Sequence, residues 1–416
     1  MRVLLVNTSE RVGGAAIAAA RLTDALNRKG VDAQLLVRDK QTDLPTTLVM
    51  PRRLRLRWAF LWERLRIWVA NRFSRRNLWA VDIANCGADI TSLPAFRDAD
   101  IVHLHWVNQG LLSMDQLAKI LESGKPVVWT MHDMWPCTAI CHHARECDRY
   151  QSHCHDCPQL MRPAPRDLSY QTFERKLHTY ALSPISFVAC SEWLATAARK
   201  SALLSGQHVT AIPNTYDSRL FHPADKAAVR RQLRLPERPR LLLFACQKVT
   251  NMRKGIDLLY KALNTPLVRR WFGTLSIIVV GERAEVVEPH VMYWVKSMGY
   301  VCDEARMAAI YQAVDVFVTP SLEENLPNTI MEAMACGTPC VGFNVGGIPE
   351  MIDHKVNGYV ARYQDAGDLA VGIDYVLSDD NRHRLSIAAA DKAANTWNED
   401  AVVHQYTQLY ESLLDK

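Results

Sequence analysis

Short continuous apolar runs alternate with longer stretches of helical periodicity along most of the chain. This alternation restricts the possible folds more than any other feature. The first series is VLLVN (3–7), AQLLVR (33–38), IVHLHW (101–106), VVWTMH (127–132) and SFVAC (186–190). Runs of this kind joined by helices mark strands of a parallel sheet buried on both faces. After a polar stretch from Pro213 to Pro239 the series restarts with LLLFAC (241–246), LSIIVVG (275–281), VDVFVTP (314–320) and PCVGFNV (339–345). Two series predict two doubly wound, Rossmann-like α/β domains facing each other across a cleft, residues 1–213 and 214–395. The closing segment 396–416 includes DAVVHQYTQLYESLLDK, where Val403, Tyr406, Leu409 and Leu413 recur at three and four. It predicts an amphipathic helix packing back toward the N-terminal domain.

A chain of 416 residues has room for both domains and a buried core. Its net charge of +5 is unevenly placed: residues 51–80 hold nine Arg against one Glu, +8, so the rest carries −3. A nucleic-acid binder would spread basic residues over a whole face, so no nucleic-acid partner is expected. The apolar start breaks at Asn7 and Thr8, too early for a signal peptide core, and no run of 18 uncharged apolar residues occurs. A cytoplasmic protein is the resulting expectation. Within 51–80, Leu54, Trp58, Leu61, Leu65 and Trp68 form one helical stripe widened by Trp62 and Val69. Arg53, Arg57, Arg64 and Arg66 lie mostly off that stripe. Tryptophan with arginine on such a helix suits an element lying in a membrane interface; packing against its own domain is the competing reading.

Ligands of open α/β sheets sit at the carboxyl ends of strands, and four motifs lie there. Gly13 and Gly14 lead into an Ala-rich helix after the first strand, offering free amides and a positive dipole end to an anion. A tight turn is the alternative reading. His132 and Asp133 end a strand, where a histidine can bond a sugar hydroxyl or serve structurally. Arg253 and Lys254 precede Gly255 at a helix mouth after the first strand of the second domain, placing two cations where a phosphate could sit. Finally, in PSLEENLPNTIMEAMACGTPCVGFNVGGIPEMI a helix should start near Pro327 and stop at Gly337. Glu324 then lies in the loop before the helix and Glu332 about a turn and a half inside it, as hydroxyl acceptors, with Asn325 and Asn328 beside them.

Glu324 and Glu332, with seven residues between them and the EAMACGTPCVGFNVGGIPEMI run following, resemble the signature of glycosyltransferase family 4. The resemblance extends to the GGA segment at 13–15, Lys254-Gly255 and the long C-terminal helix. It implies the two-domain GT-B fold and retaining transfer from a nucleotide sugar, without a metal requirement. HLHWVNQG, VVWTMHDMWPCTAICHH and the cysteine run are similar to the subgroup that builds colanic acid and other exopolysaccharides. By this resemblance, Glu332 binds the ribose, and Glu324 with Asn325, Leu326, Pro327, Asn328 and Thr329 holds the donor sugar and phosphates. Lys254 neutralises the diphosphate, Gly14 sits near the phosphates and His132 near the donor sugar. The family commonly has an Arg five residues before the Lys; Val249 stands there, so Arg253 is expected to supply the second cation in preference to Lys248. No carboxylate pair has glycosidase spacing, which disfavours hydrolysis.

Cys141, Cys147, Cys154 and Cys157 have the spacing C-x5-C-x6-C-x2-C within a segment expected as an insertion at 137–158. Four thiolates suit a structural zinc that orders a coreless loop, with His142, His143, His153 or His155 as substitute ligands and Cys137 outside the set. Two disulfides or unligated thiols are the alternatives. The expected activity is therefore transfer of a sugar from a nucleotide donor to a lipid-linked saccharide, peripheral at the cytoplasmic face of an anionic membrane. A sugar-nucleotide epimerase and a zinc-dependent nucleic-acid module are the competing classes.

Overall fold

A computed structural model describes residues 1–51 and 53–415, apart from the Arg53 side chain, whose expected position off the stripe lies outside the described residues. The chain divides into two compact units, Met1–Pro213 with Val402–Lys416, and Asn214–Ala401.

The first unit is a seven-stranded parallel sheet of β1 (Arg2–Ser9), β2 (Asp32–Asp39), β3 (Thr47–Val49), β4 (Ile101–Leu104), β5 (Val127–Met131), β6 (Ile185–Ala189) and β7 (His208–Ala211), ordered β3-β2-β1-β4-β5-β6-β7. The order reverses between β1 and β4, which opens the crevice where ligands of such sheets bind. The Ala-rich helix α1 (Gly14–Arg28) follows β1, with Gly13 at its N-cap and a φ of 94° that favours glycine. Its Ala19, Leu22 and Leu26 pack with Leu5, Val37 and Tyr406 on one face of the sheet. The helix Glu399–Leu414 supplies Val402, Val403, Tyr406 and Tyr410 to that core, and the chain joins the first unit at Val402 rather than at residue 396.

The helix α2 (Arg53–Ala70) turns its apolar stripe outward. Leu54 is 72% exposed, Trp58 71% and Trp62 50%, while Leu56, Glu63, Arg64 and Ile67 are buried. Glu63 accepts the Ile83 and Ala84 amides at 2.8 and 2.7 Å, and Arg64 donates to the carbonyls of Leu78 and Val81 and to Asp82. The helix is thus seated by a buried ion pair and backbone bonds. No helix among the described residues is long and apolar enough to cross a membrane.

The second unit is a six-stranded parallel sheet of β8 (Arg240–Lys248), β9 (Leu275–Glu282), β10 (Trp294–Ser297), β11 (Val316–Thr319), β12 (Cys340–Phe343) and β13 (Gly358–Ala361), ordered β10-β9-β8-β11-β12-β13. Its crevice opens between β8 and β11. Leu242, Phe244, Ile277, Val316, Val318 and Val341 form the centre of its core.

Candidate functional site

In the second unit two strand-end loops meet. After β8 the chain makes one turn of 3-10 helix at Met252–Lys254 and passes through Gly255, at φ 69°, into the helix Ile256–Leu263. A Cβ on Gly255 would lie 1.8 Å from the Pro320 carbonyl oxygen, so only glycine lets this turn approach the β11 loop. The approach puts the Lys254 ammonium in an ion pair with Glu324. Arg253 pairs with Glu323 at 3.6 Å, a carboxylate that its unremarkable position in PSLEEN did not single out. Val249, where the family commonly carries Arg, is fully buried, and Lys248 is exposed.

The helix Asn328–Ala335 follows, with Pro327 at its N-cap rather than as first helical residue, and Gly337 at φ 74° just past its C-cap. Asn325, Leu326 and Glu332 are buried, and Asn328 Oδ1 accepts from Asn214 Nδ2 at 2.9 Å. Thr329 is half-buried on the first turn. The glycine-rich loop after β12 closes on the Glu324 segment: the Gly347 amide donates to the Asn325 carbonyl at 2.8 Å. A Cβ on Gly346, at φ 58°, would lie 1.8 Å from the Glu324 carbonyl oxygen. Cations, carboxylates and a helix N-terminus are therefore gathered at one sheet's switch point, a setting suited to a phosphate with hydroxyls attached.

In the first unit, His132 directly follows β5, and the equivalent end of β4 carries His105 and Trp106. His132 Nε2 lies 3.0 Å from His105 Nδ1, and their rings are stacked at 5.3 Å. Burial pulls His132 down to about 4, so its imidazole is neutral near pH 7 and can accept or donate one hydrogen bond. His103, fully buried, bonds the Tyr410 hydroxyl and Thr130, each at 2.7 Å, which makes it a strut for the C-terminal helix. Gly13 and Gly14 lie at the end of β1, both exposed.

Asp133, paired with His132 in the sequence, is a scaffold. Its Oδ1 accepts the Trp135 amide at 2.8 Å, and its Oδ2 accepts from Trp106 Nε1 at 2.9 Å and His142 Nδ1 at 2.8 Å. The other ring nitrogen of His142 lies 2.6 Å from Asp82, which also pairs with Arg64 of α2. Burial opposes charge on His142, yet Asp133 and Asp82 override it and push its pKa up to about 10. This chain of buried charges was illegible in the sequence, because Asp82, His142 and Arg64 are widely separated there and meet through the antiparallel bridge Val81–Cys141.

The four cysteines of the zinc expectation lie close together in the first unit. Cys141, Cys147, Cys154 and Cys157 line one small cavity with Ala139, Ile140 and Tyr150. Among the described residues, however, no three His, Cys, Asp or Glu side chains are gathered so that they could hold a metal ion. Without a metal, burial pushes Cys141, Cys154 and Cys157 up to about 12. Of the substitute ligands, His142 is held as above, His153 bonds Glu174 at 2.6 Å and His155 bonds Asp156 at 2.7 Å. Nor is the segment coreless. The buried Lys176 donates to the Trp135 and Thr138 carbonyls, and Asp167 accepts the Cys157 amide at 2.8 Å.

Known proteins match both units. The description Glycosyltransferase Family 4 fits residues 12–220, half of the chain, and Glycosyl transferases group 1 fits residues 239–379. D-inositol 3-phosphate glycosyltransferase of Stackebrandtia nassauensis is 31% identical over 212 residues, 46% of each chain. N-acetyl-alpha-D-glucosaminyl L-malate synthase of Bacillus anthracis is 23% identical over 215 residues, 50% of this chain and 54% of that one. The chain thus spans about half the length of the curated relatives it matches. Sucrose-phosphate synthase from Thermosynechococcus elongatus superposes with a TM-score of 0.68 at 19% identity, covering 100% of this chain and 99% of that one. Anabaena HepE, solved in complex with UDP and glucose, superposes at 0.63 and 16% identity, covering 99% and 100%. These two likenesses show the GT-B fold. The switch-point loops and the family match over half of its length agree: this chain belongs to glycosyltransferase family 4.

Proposed function

We propose that the chain is a retaining glycosyltransferase that moves a sugar from a nucleotide-diphosphate sugar to a lipid-linked saccharide at an anionic membrane surface. Its setting is bacterial exopolysaccharide, capsule or O-antigen assembly, as in the colanic acid enzymes it resembles. One observation carries the donor half: the Lys254–Glu324 pair at the mouth between β8 and β11, closed over by Gly255 and Gly346. Breaking the bond from an anomeric carbon to a diphosphate develops negative charge on the phosphate and positive charge on the sugar. Lys254 and Arg253 with the amides of the Asn328–Ala335 helix stabilise the first, an effect of about 3 kcal/mol per well-placed donor. Glu324 and Asn325 accept sugar hydroxyls, and Glu332 accepts those of the ribose. HepE, solved with UDP-glucose, is a fold neighbour and supports a nucleotide-sugar donor.

The membrane half is supported by α2, whose indoles face outward beside exposed Arg55, Arg57 and Arg66. Such a face suits insertion among anionic headgroups. Thermal-shift measurements against a panel of nucleotide sugars test the donor half. A ligand at 100 times its dissociation constant adds about 2.7 kcal/mol, and one of the panel is expected to stabilise the wild type but not Lys254→Ala. Stabilisation by none of them overturns the assignment.

A further inference from the structure

Trp106 lies two residues beyond β4 at the switch point of the first sheet, and its backbone is tied to β1. Its amide donates to Asn7 Oδ1 at 2.9 Å, and its carbonyl accepts the Thr8 amide and hydroxyl, each at 2.9 Å. The ring is held from the other side by the Asp133 carboxylate, and its face lies 5.7 Å from the His142 ring, centroid to centroid. Asp133 accepts from three donors of this chain, the Trp135 amide, the Trp106 indole and His142, and so holds these neighbours in place. Behind it the line continues through His142 to Asp82 and Arg64. Six side chains, three of them from outside the strand ends, thus converge on the orientation of one indole that keeps part of its surface exposed.

An indole so oriented offers a flat, weakly polar face. The C–H faces of a pyranose ring are the complementary surface, apolar on the flat side and hydroxylated at the edge. Two polar atoms flank Trp106 in the chain, His105 Nε2 and Asn108 Nδ2, and both are buried without a hydrogen-bond partner. Leaving such atoms unmatched costs roughly 1–3 kcal/mol each, which a hydroxyl partner would recover.

We propose that the Arg64–Asp82–His142–Asp133 chain positions Trp106 as the aromatic wall against which the acceptor saccharide packs. The assignment rests on the glycosyltransferase reading and adds to it where the acceptor sugar binds and what holds that wall. His142 and Asp82 are positioning residues, whereas Trp106 itself touches the sugar. Since Arg64 belongs to α2, the wall is tied to the helix whose indoles face outward.

The test uses the full chain with 15N-labelled tryptophan and a panel of octyl glycosides of neutral hexoses and N-acetylhexosamines as probes. Trp106→Phe identifies the Trp106 indole resonance by its loss. At least one glycoside is expected to shift that resonance saturably, and Trp106→Ala is expected to weaken its binding at least tenfold, with Trp106→Phe recovering most of the loss. His142→Gln and Asp82→Asn should weaken glycoside binding about threefold or more while nucleotide-sugar affinity changes less than twofold. Leu117→Ala, a core change on another helix of the first unit, controls for lost stability and should leave glycoside affinity unchanged. The proposal is overturned if no glycoside moves the Trp106 resonance, or if Leu117→Ala weakens glycoside binding as much as His142→Gln does. Absence of nucleotide-sugar binding by the wild type would instead count against the donor-site reading, which this spectrum measures separately.

Discussion

The Lys254 ammonium is paired with the Glu324 carboxylate across the switch point of the second sheet, joining residues 70 positions apart. The pair leaves the cation partly exposed beside the loop that leads into the Asn328–Ala335 helix. On the proposed donor reading, a diphosphate entering there would compete with Glu324 for Lys254 and free the carboxylate for a sugar hydroxyl. Lys254→Ala should lower kcat by roughly 100-fold or more, as loss of one transition-state donor does. Initial-rate kinetics check this. Because Lys254 is a surface cation, the variant should melt within about 2 °C of wild type; a large fall in Tm would mean that the pair is structural.

Gly346 and Gly273 separate backbone strain from steric conflict. Both have positive φ, 58° and 81°, but a Cβ on Gly273 meets nothing within 4 Å, whereas one on Gly346 collides with the Glu324 carbonyl. Gly273→Ala should cost only the left-handed penalty of about 1–2 kcal/mol. Gly346→Ala should cost more, and should also displace Glu324 and weaken donor binding at least tenfold. Urea denaturation and calorimetry with the nucleotide sugar distinguish the two; equal stability losses with unaltered donor affinity would refute the close approach.

The two faces of α2 predict opposite phenotypes. Trp58→Ala with Trp62→Ala removes exposed indoles, so stability should move by less than about 0.5 kcal/mol while binding to vesicles containing anionic lipid falls several-fold. Glu63→Ala removes a fully buried carboxylate that holds two amides and sits 3.5 Å from Arg64. Breaking such a buried pair costs about 3–5 kcal/mol. Cosedimentation and chemical denaturation read the two effects, and vesicle binding that survives loss of both tryptophans would reject the membrane-facing role.

Acid should destabilise the first unit through its buried histidines. Burial pulls His103 down to about 3 and His132 down to about 4, both below the ordinary value near 6.5. The unfolded chain therefore takes up protons before the folded one does. Stability from these groups is complete above about pH 6.5 and declines as pH falls toward their folded values, by up to about 1.4 kcal/mol per pH unit per histidine. His103→Gln, which can still bond Tyr410 or Thr130, should reduce the difference in stability between pH 7 and pH 5. If denaturation curves show the same difference for both proteins, His103 is not held neutral.

Nine strands were legible as apolar runs because each is buried on both faces, where composition alone marks it. The four strands without such a run, β3, β7, β10 and β13, are the four sheet edges. β7 and β10 are half exposed and β3 has three residues, so burial leaves little pattern in their sequences. At the donor site, Lys254, Glu324 and Glu332 were readable because each sits next to a turn or helix terminus that its neighbours announce. Glu323 was missed because nothing in PSLEEN distinguishes it from Glu324 until Arg253 is brought beside it.

By itself, then, the sequence determined the two parallel sheets, the break between them near Pro213 and the turns that flank Lys254 and Glu324, all of which follow from local burial and turn chemistry. Only the tertiary structure decided which face of α2 meets solvent. Periodicity shows that a helix has an apolar stripe but not where the stripe points, and here Glu63 and Arg64 find buried partners on the 78–84 segment that outweigh it. The same holds for His142, which the sequence offered as a metal ligand. Its partners Asp82 and Asp133 lie 60 and 9 residues away, and only the folded chain brings both carboxylates to its ring.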